Sequence, residues 1–303
     1  MKLALALGLL APLATASLAH ADTKAWAAAK KVIPANMEVV GGVNAAAAHD
    51  TLLYKKLMPA LLAKINGAGE LDVLKAECNI DIVSSIDSIV FALDSTEQSG
   101  TIVLAFRGVD RGKIELCARK HAKTNAQSLT ITPAGPLTQY AGVGDAPVYL
   151  RWVAPDVVAL ATDPTNKDTA LAATGGGIAG DPSLKGLDAV NKSASLWLVA
   201  NKQVDMPGGA GKMTSAYGSA NVASGAIAVE THIGADSPAT ATNMAAMASQ
   251  QIAGVQQQQP GPIADILKTV QISAIAQEIK VTATVPEKTL LDLLPMAGIQ
   301  LAN

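Results

Sequence analysis

Two stretches of this chain share one outline of apolar and polar positions. In residues 85–121 two apolar runs, SIVFAL and TIVLAFR, precede a helical pattern; in residues 213–259 two longer runs precede an alanine-rich one. In each, a Ser-Gly pair (Ser99-Gly100, Ser224-Gly225) stands between the runs, and Gly-x-Asp (Gly108-Val109-Asp110, Gly234-Ala235-Asp236) leads into the helix. The physical reading is a β-hairpin feeding a helix, with Asp110 and Asp236 as N-caps that accept a free backbone N–H.

The pattern predicts further elements around the first hairpin. Asp22 to Lys31 reads as a short polar-alanine lead, and Ile33-Pro34-Ala35 opens the first module. MEVVGGV is a strand ending at Asn44. Leu53, Leu57, Leu61 and Ile65 then recur at helical spacing, with Pro59 predicting a kink or break inside the stripe. LDVLKAECNI predicts a short helix and residues 110–121 a longer one. LTIT, LTQYAG, PVYLRWVA and VVALATD predict four strands, the last two joined by a turn at Pro155-Asp156.

A connector rich in turn formers runs from Asn166 to Asp181-Pro182. Beyond it SLKGLDAV predicts a short helix, and SASLWLVAN a strand ending in Asn201 as the earlier strand ends in Asn44. The second copy has the Gly-Pro loop Lys202 to Lys212 where the first has its kinked helix. On the long helix Met244, Met247, Ile252 and Val255 share one side and read as a core stripe. IADILKTV predicts another helix, ISAIAQ and EIKVTATV strands, and PEKTLLDLLPMAG a closing helix with Pro286 in its first turn.

The expected fold is α+β: two related modules, each an antiparallel sheet with helices on one face. Each has a ferredoxin-like β-α-β-β-α-β tendency, and the first carries extra strands. Residues 1–21 are expected to form a signal peptide, 22–174 the first module and 175–303 the second. The step from Ser-Gly to the capping Asp is one residue longer in the second copy, which predicts a bulge in one strand.

The N-terminus sets the expected compartment. Lys2 precedes the apolar run LALALGLLAPLATASL, and Ala19 and Ala21 are the small residues a signal peptidase reads, so cleavage falls after Ala21. That run is shorter than the ~20 residues of a membrane span. The mature protein is expected to be periplasmic or secreted, from a bacterium, with no membrane span left. A formal net charge of −2 with scattered basic residues argues against nucleic acid or an anionic membrane surface as partner. Aromatics at 3% leave little for stacking platforms and predict a core of small aliphatic side chains.

Candidate chemistry is sparse. Cys78 before the first hairpin and Cys117 on the helix after it form an even pair, which in an oxidising compartment predicts a disulfide. Two separate buried thiols are the plain alternative. The competing reading takes Cys117 and His121, four apart on one helix face, as the thiolate–imidazole pair of a cysteine-dependent enzyme, or joins them to Cys78 as a metal site. No CxxC or HxxxH spacing supports it. His49 beside Asp50 reads as exposed at a helix start. His232 shares a strand face with Glu230, but no Gly-x-Ser-x-Gly selects a nucleophile, and Ser219 in YGSAN reads as a turn serine.

Glycine-rich letters also mislead. Gly175 to Gly180 matches G-x-G-x-x-G but follows a helical pattern and ends in Asp-Pro; Gly208 to Lys212 lacks the first glycine and the following Ser or Thr of a phosphate loop. Both read as linkers. Asn191-Lys192-Ser193 spells a glycosylation acceptor that a strand start explains. No catalytic, cofactor-binding or metal residue is assigned, and no cofactor is expected.

Ile33-Pro34-Ala35 before the first strand, the strand-Asn-helix at Asn44, and the Tyr217-Gly218-Ser219 strand leading to Gly-x-Asp resemble uncharacterised exported bacterial proteins with repeated α+β modules. The resemblance implies architecture and carries over no catalytic residue. The expected function is a non-enzymatic binding or envelope-associated module. Its partner would be a small molecule or an envelope protein, and the asymmetric loop Lys202 to Lys212 would line any site.

Overall fold

The computed structural model describes residues 22–56, 58, 69–94, 99–124, 128–142, 147–161, 177–206, 211–223, 225–258 and 261–293. The signal peptide with Ala19 and Ala21, the stripe positions Leu57, Leu61 and Ile65 with Pro59, most of the connector with Gly175, the Gly208 to Ala210 segment and Ser224 lie outside them.

The described residues open on a helix, α1 (Lys24–Val32), where the sequence suggested only a lead. Thr23 caps it by accepting the Trp26 N–H at 3.3 Å, and Ala25, Trp26, Ala28, Ala29 and Val32 form a buried face. Those positions follow the spacing of one helical stripe. Alanine is apolar enough to bury and too small to stand out beside three lysines, so the stripe is faint in the sequence.

Next come β1 (Val39–Val43) and α2 (Ala45–Ala48), the latter capped by the Asn44 side chain, which accepts the Ala47 N–H. Helices α3 (Gly69–Cys78) and α4 (Ile82–Ser85) lead to the hairpin β2 (Ile86–Asp94) and β3 (Ser99–Phe106). Asp110 caps α5 (Arg111–Thr124) by accepting the Lys113 N–H at 2.9 Å. Strands β4 (Leu129–Ala134), β5 (Leu137–Gly142), β6 (Val148–Ala154) and β7 (Val157–Ala161) complete the first half.

The second half holds β8 (Leu196–Ala200), the short β9 (Val204–Asp205), β10 (Lys212–Ala223), β11 (Ala226–Ala235) and α6 (Pro238–Gln258). It ends with α7 (Pro262–Lys268), β12 (Gln271–Ile275), β13 (Glu278–Pro286) and α8 (Glu287–Leu293).

Among the described residues, thirteen strands form one sheet in the order β12-β13-β11-β10-β8-β1-β2-β3-β7-β6-β5-β4, with β9 on the end of β10. The two expected sheets are therefore one, joined where β1 pairs antiparallel with β8 from Val39↔Ala200 to Val43↔Leu196. A split β-α-β would set parallel strands side by side, whereas β1 lies antiparallel to both β2 and β8. In the first half β1 and the hairpin β2–β3 are followed by α5 and four strands, the last of which, β7, returns beside β3; in the second β8 and the hairpin β10–β11 are followed by α6, α7 and two strands, the last of which, β13, returns beside β11.

Helices cover both faces. On one face α1 packs on Val40, Val90, Ala92, Val103, Ala105, Val157, Ala159 and Val199, with Leu184, Leu187 and Val190 beside it. The alternate residues Ile89, Leu104, Phe106 and Val158 point the other way, into the cluster around α5. Helix α6 lies on that same opposite face over Ile233, Ile279 and Val281. The expectation of helices on one face thus holds for α5 and α6 and fails for α1. Trp26 meets Trp197 of β8 edge to face, ring centres 5.3 Å apart, and the Trp197 indole passes so close to Gly42 that a Cβ there would lie 2.3 Å from its nitrogen.

Several local expectations shift. Ser99 and Gly100 are the first residues of β3 rather than a turn, because Asp94 pairs with Ser99. In the second hairpin Ala223 faces Ala226, and Gly225 takes a positive φ of 76°. Residues 182–190 form successive turns instead of a helix: Gly186 sits at φ 86°, and the Tyr217 ring occupies the space a Cβ would need. The cap of α6 is Ser237, whose hydroxyl accepts the Thr240 N–H; Asp236 instead accepts the Lys212 N–H. On α6 the buried residues are Thr240, Ala241 and Ala245, with Met244 alongside, while Met247 is 49% and Val255 38% exposed. Small side chains let the helix approach the sheet, so alanine, not methionine, makes the contact. Bulges fall at the start of both hairpins, between Ile86 and Ser88 and between Met213 and Ser215.

Candidate functional site

Past the end of α1 the same face of the sheet is left open over β10, β11 and β13, and the segment 189–191 forms a wall beside it. The result is a groove of about 400 Å³. Alternation along each strand decides which side chains reach it. Register then sets them in rows across three strands: Tyr217–His232–Lys280, Ser219–Glu230–Thr282 and Asn221–Ala228–Thr284.

His232 organises the upper row. Its ring stacks on Tyr217 with centroids 4.7 Å apart and planes 4° from parallel. Nε2 lies 2.9 Å from Glu230 Oε1 and Nδ1 3.4 Å from Glu278 Oε2. The Tyr217 hydroxyl donates to Glu278 at 3.2 Å, and Lys280 Nζ stands 3.0 Å from Glu230 Oε1. The His232 hydrogen bond, then that of Lys280, holds the Glu230 carboxyl below its ordinary value of 4.5. Burial, then the charge of Glu278, pushes the Tyr217 hydroxyl up.

A carboxyl whose pKa is lowered on folding stabilises the fold above its unfolded pKa, and that contribution is lost as pH falls through the folded value. Urea midpoints of the wild type and Glu230→Gln should therefore differ at about pH 6 and draw together as pH falls below the ordinary carboxylate value. A difference that does not change with pH would contradict this coupling.

The lower rows are different in kind. Among the described residues the side chains of Ser219, Asn221, Thr282 and Thr284 hold no hydrogen bond to protein, and the Lys280 ammonium and the His232 ring converge on one oxygen of Glu230, with no hydrogen bond to Oε2. Pre-placed polar groups without protein partners in a concave site are what a ligand pocket offers. The arrangement does not make a hydrolytic triad. Both ring nitrogens of His232 face carboxylates, so neither is left to take a proton from Ser219.

The sequence-level candidates sit elsewhere. Cys78 and Cys117 are joined as a disulfide between α3 and α5, Cα atoms 5.5 Å apart. With its sulfur bonded, Cys117 offers no thiolate, and the Nδ1 of His121 lies 3.2 Å from Glu77 Oε2, so the Cys117–His121 pair is not assembled. Among the described residues no group of three His, Cys, Asp or Glu is placed to hold a metal ion. A second depression of about 350 Å³ runs beside the disulfide. There Lys113 and Lys120 bond the Gly108 and Glu77 carbonyls. His49 is at the end of α2 against Asp50 and tilted over Tyr54. The described parts of the Lys202 to Lys212 loop do not line the groove. Gly177 to Gly180 form a short turn of helix, not a phosphate cradle.

Fold and groove together define a mixed α/β protein built on one large antiparallel sheet, and among the described residues no helix is long and apolar enough to cross a membrane. Neither a family model nor a curated protein matches the chain. Among solved structures it is similar to TP0453, a Treponema protein. Crystal form I of that protein gives a TM-score of 0.51 at 7% identity, over 88% of this chain and 95% of the other. Form III gives 0.50 at 8%, over 87% and 96%. At such identity the likeness speaks for the fold alone.

Proposed function

We propose that this chain is an exported, non-enzymatic binding module that takes up a small polar molecule in the groove between the 189–191 segment and strands β10, β11 and β13. One observation carries the reading: four neutral side chains and one carboxylate oxygen converge on that groove with no partner among the described residues. Export is supported by the leader-like run ending at Ala21 and by the Cys78–Cys117 disulfide, which persists in oxidising compartments. An origin by duplication, with modules at 22–174 and 175–303, is supported by the lone strand, hairpin and helix found on each side of the β1–β8 pair and by a bulge at the start of each of those hairpins.

The test is a titration of the folded protein with a panel of sugars, amino acids and polyamines, followed by amide chemical shifts. Binding should move resonances of Ser219, Glu230 and Thr282 saturably. Ala228→Trp, which fills the floor between Asn221 and Thr284, should abolish the shifts while leaving the α1 core unchanged. Saturable shifts that survive Ala228→Trp would place binding elsewhere.

A further inference from the structure

We infer that the groove selects a small polyhydroxylated molecule carrying an ammonium group, anchored by Glu230. This rests on the groove being a binding site at all. The charge pattern decides the sign of the ligand. Lys280 is spent on Glu230 Oε1, and the His232 ring faces Glu230 and Glu278, so among the described residues of the groove no ammonium or guanidinium is left over for a phosphate or carboxylate. What remains is Glu230 Oε2, an acceptor on a side chain that is half exposed and lines the groove. Its neighbours hold the carboxyl in the ionised form. An ammonium or other N–H donor completes it.

The neutral groups decide the rest. Ser219 and Thr282 lie directly across from Glu230 on the two neighbouring strands, placing a hydroxyl on each side of the carboxylate. Cross-strand side chains of this kind start about 5 Å apart, the span of a six-membered ring with its substituents. In the next row Asn221 and Thr284 flank Ala228, whose methyl leaves room over the sheet for a ligand to lie flat. Hydroxyl and amide groups both donate and accept, which matches ligand hydroxyls of either polarity. A hydrocarbon ligand would leave these groups unpaired as it displaced their water, at a cost an apolar contact with Ala228 does not offset.

D-Glucosamine and D-glucose separate the two halves of this inference, since they differ in a single ammonium. Calorimetry and amide shifts on the folded, disulfide-intact protein should give saturable glucosamine binding at least about tenfold tighter than glucose. Glu230→Gln keeps the side-chain shape and should remove that preference, while Glu278→Gln, two rows away, should keep most of it. Near-ultraviolet circular dichroism checks that each variant retains its packing. Equal binding of both sugars, or a preference untouched by Glu230→Gln, overturns the ammonium assignment and leaves the groove standing. Neither sugar binding, while another compound shifts Ser219 and Thr282, overturns the ligand class alone. Shifts in no groove residue with any compound take both readings away.

Discussion

Replacing Trp26 by alanine should cost about 3–5 kcal/mol of stability, the range for emptying a fully packed aromatic site. Trp26 is 3% exposed, its ring meets the edge of Trp197, and Lys192 Nζ stands 5.5 Å from its centroid. The side chain therefore joins α1 to a strand of the second half and to the segment that precedes it. Its loss opens a cavity between parts that no local contact can draw together. Urea denaturation should show a lower midpoint at an unchanged slope. Leu116→Ala, on the outer face of α5 with its side chain 70% exposed, is the control and should stay within about 0.5 kcal/mol. Equal behaviour of the two variants would mean that α1 is not seated in the core.

The second large effect belongs to the disulfide. Cys78 and Cys117 are separated by 39 positions, and closing a loop of that length removes about 4 kcal/mol of chain entropy from the unfolded state. The double variant Cys78→Ser with Cys117→Ser should lose most of that amount. It should still assemble the hairpin and α5, because Lys120 and His121 also tie α5 to Glu77. The comparison is made by urea unfolding of the oxidised protein, the reduced protein and the double variant. Coincident curves for all three would remove the staple from the account.

Local signals were legible in the sequence, and long-range ones were not. The Asp110 cap, the end of the first strand at Asn44 and the turn at Pro155-Asp156 are encoded within a few residues, and each is found where the pattern put it. The cap of α6 was misplaced by one residue because Asp and Ser, adjacent at 236 and 237, are both good caps. Only the fold shows that the Lys212 amide claims the Asp236 carboxylate. Helix α1 hid behind alanine and lysine. The α1 face of the sheet was missed for a related reason: β2, β3 and β7 are apolar at both alternating sets of positions, so periodicity alone does not say whether one face or two is covered.

The groove was half legible. Strand alternation already put Glu230 and His232 on one face, but nothing in the order of residues brings Glu278, Lys280 and Thr282 beside them. That meeting requires β13 to return next to β11 after α6, α7 and β12 have intervened. The disulfide was legible because cysteine arithmetic needs only a count and a compartment.

The pairing of β1 with β8 has a kinetic consequence. The ladder at the middle of the sheet joins parts of the chain that are far apart, and the Asn44–Ser193 hydrogen bond at its end spans 149 positions. Contacts of that separation form late and slowly, after the loop entropy has been met. Until Leu196–Ala200 arrives, β1 has one bare edge, and Val39–Val43 with its two glycines offers no charge or proline to keep another strand away. A chain emerging N-terminus first therefore passes through a state with a complete hairpin β2–β3 and an open seam beside it. A holding chaperone, or delivery across a membrane before folding, would protect that seam.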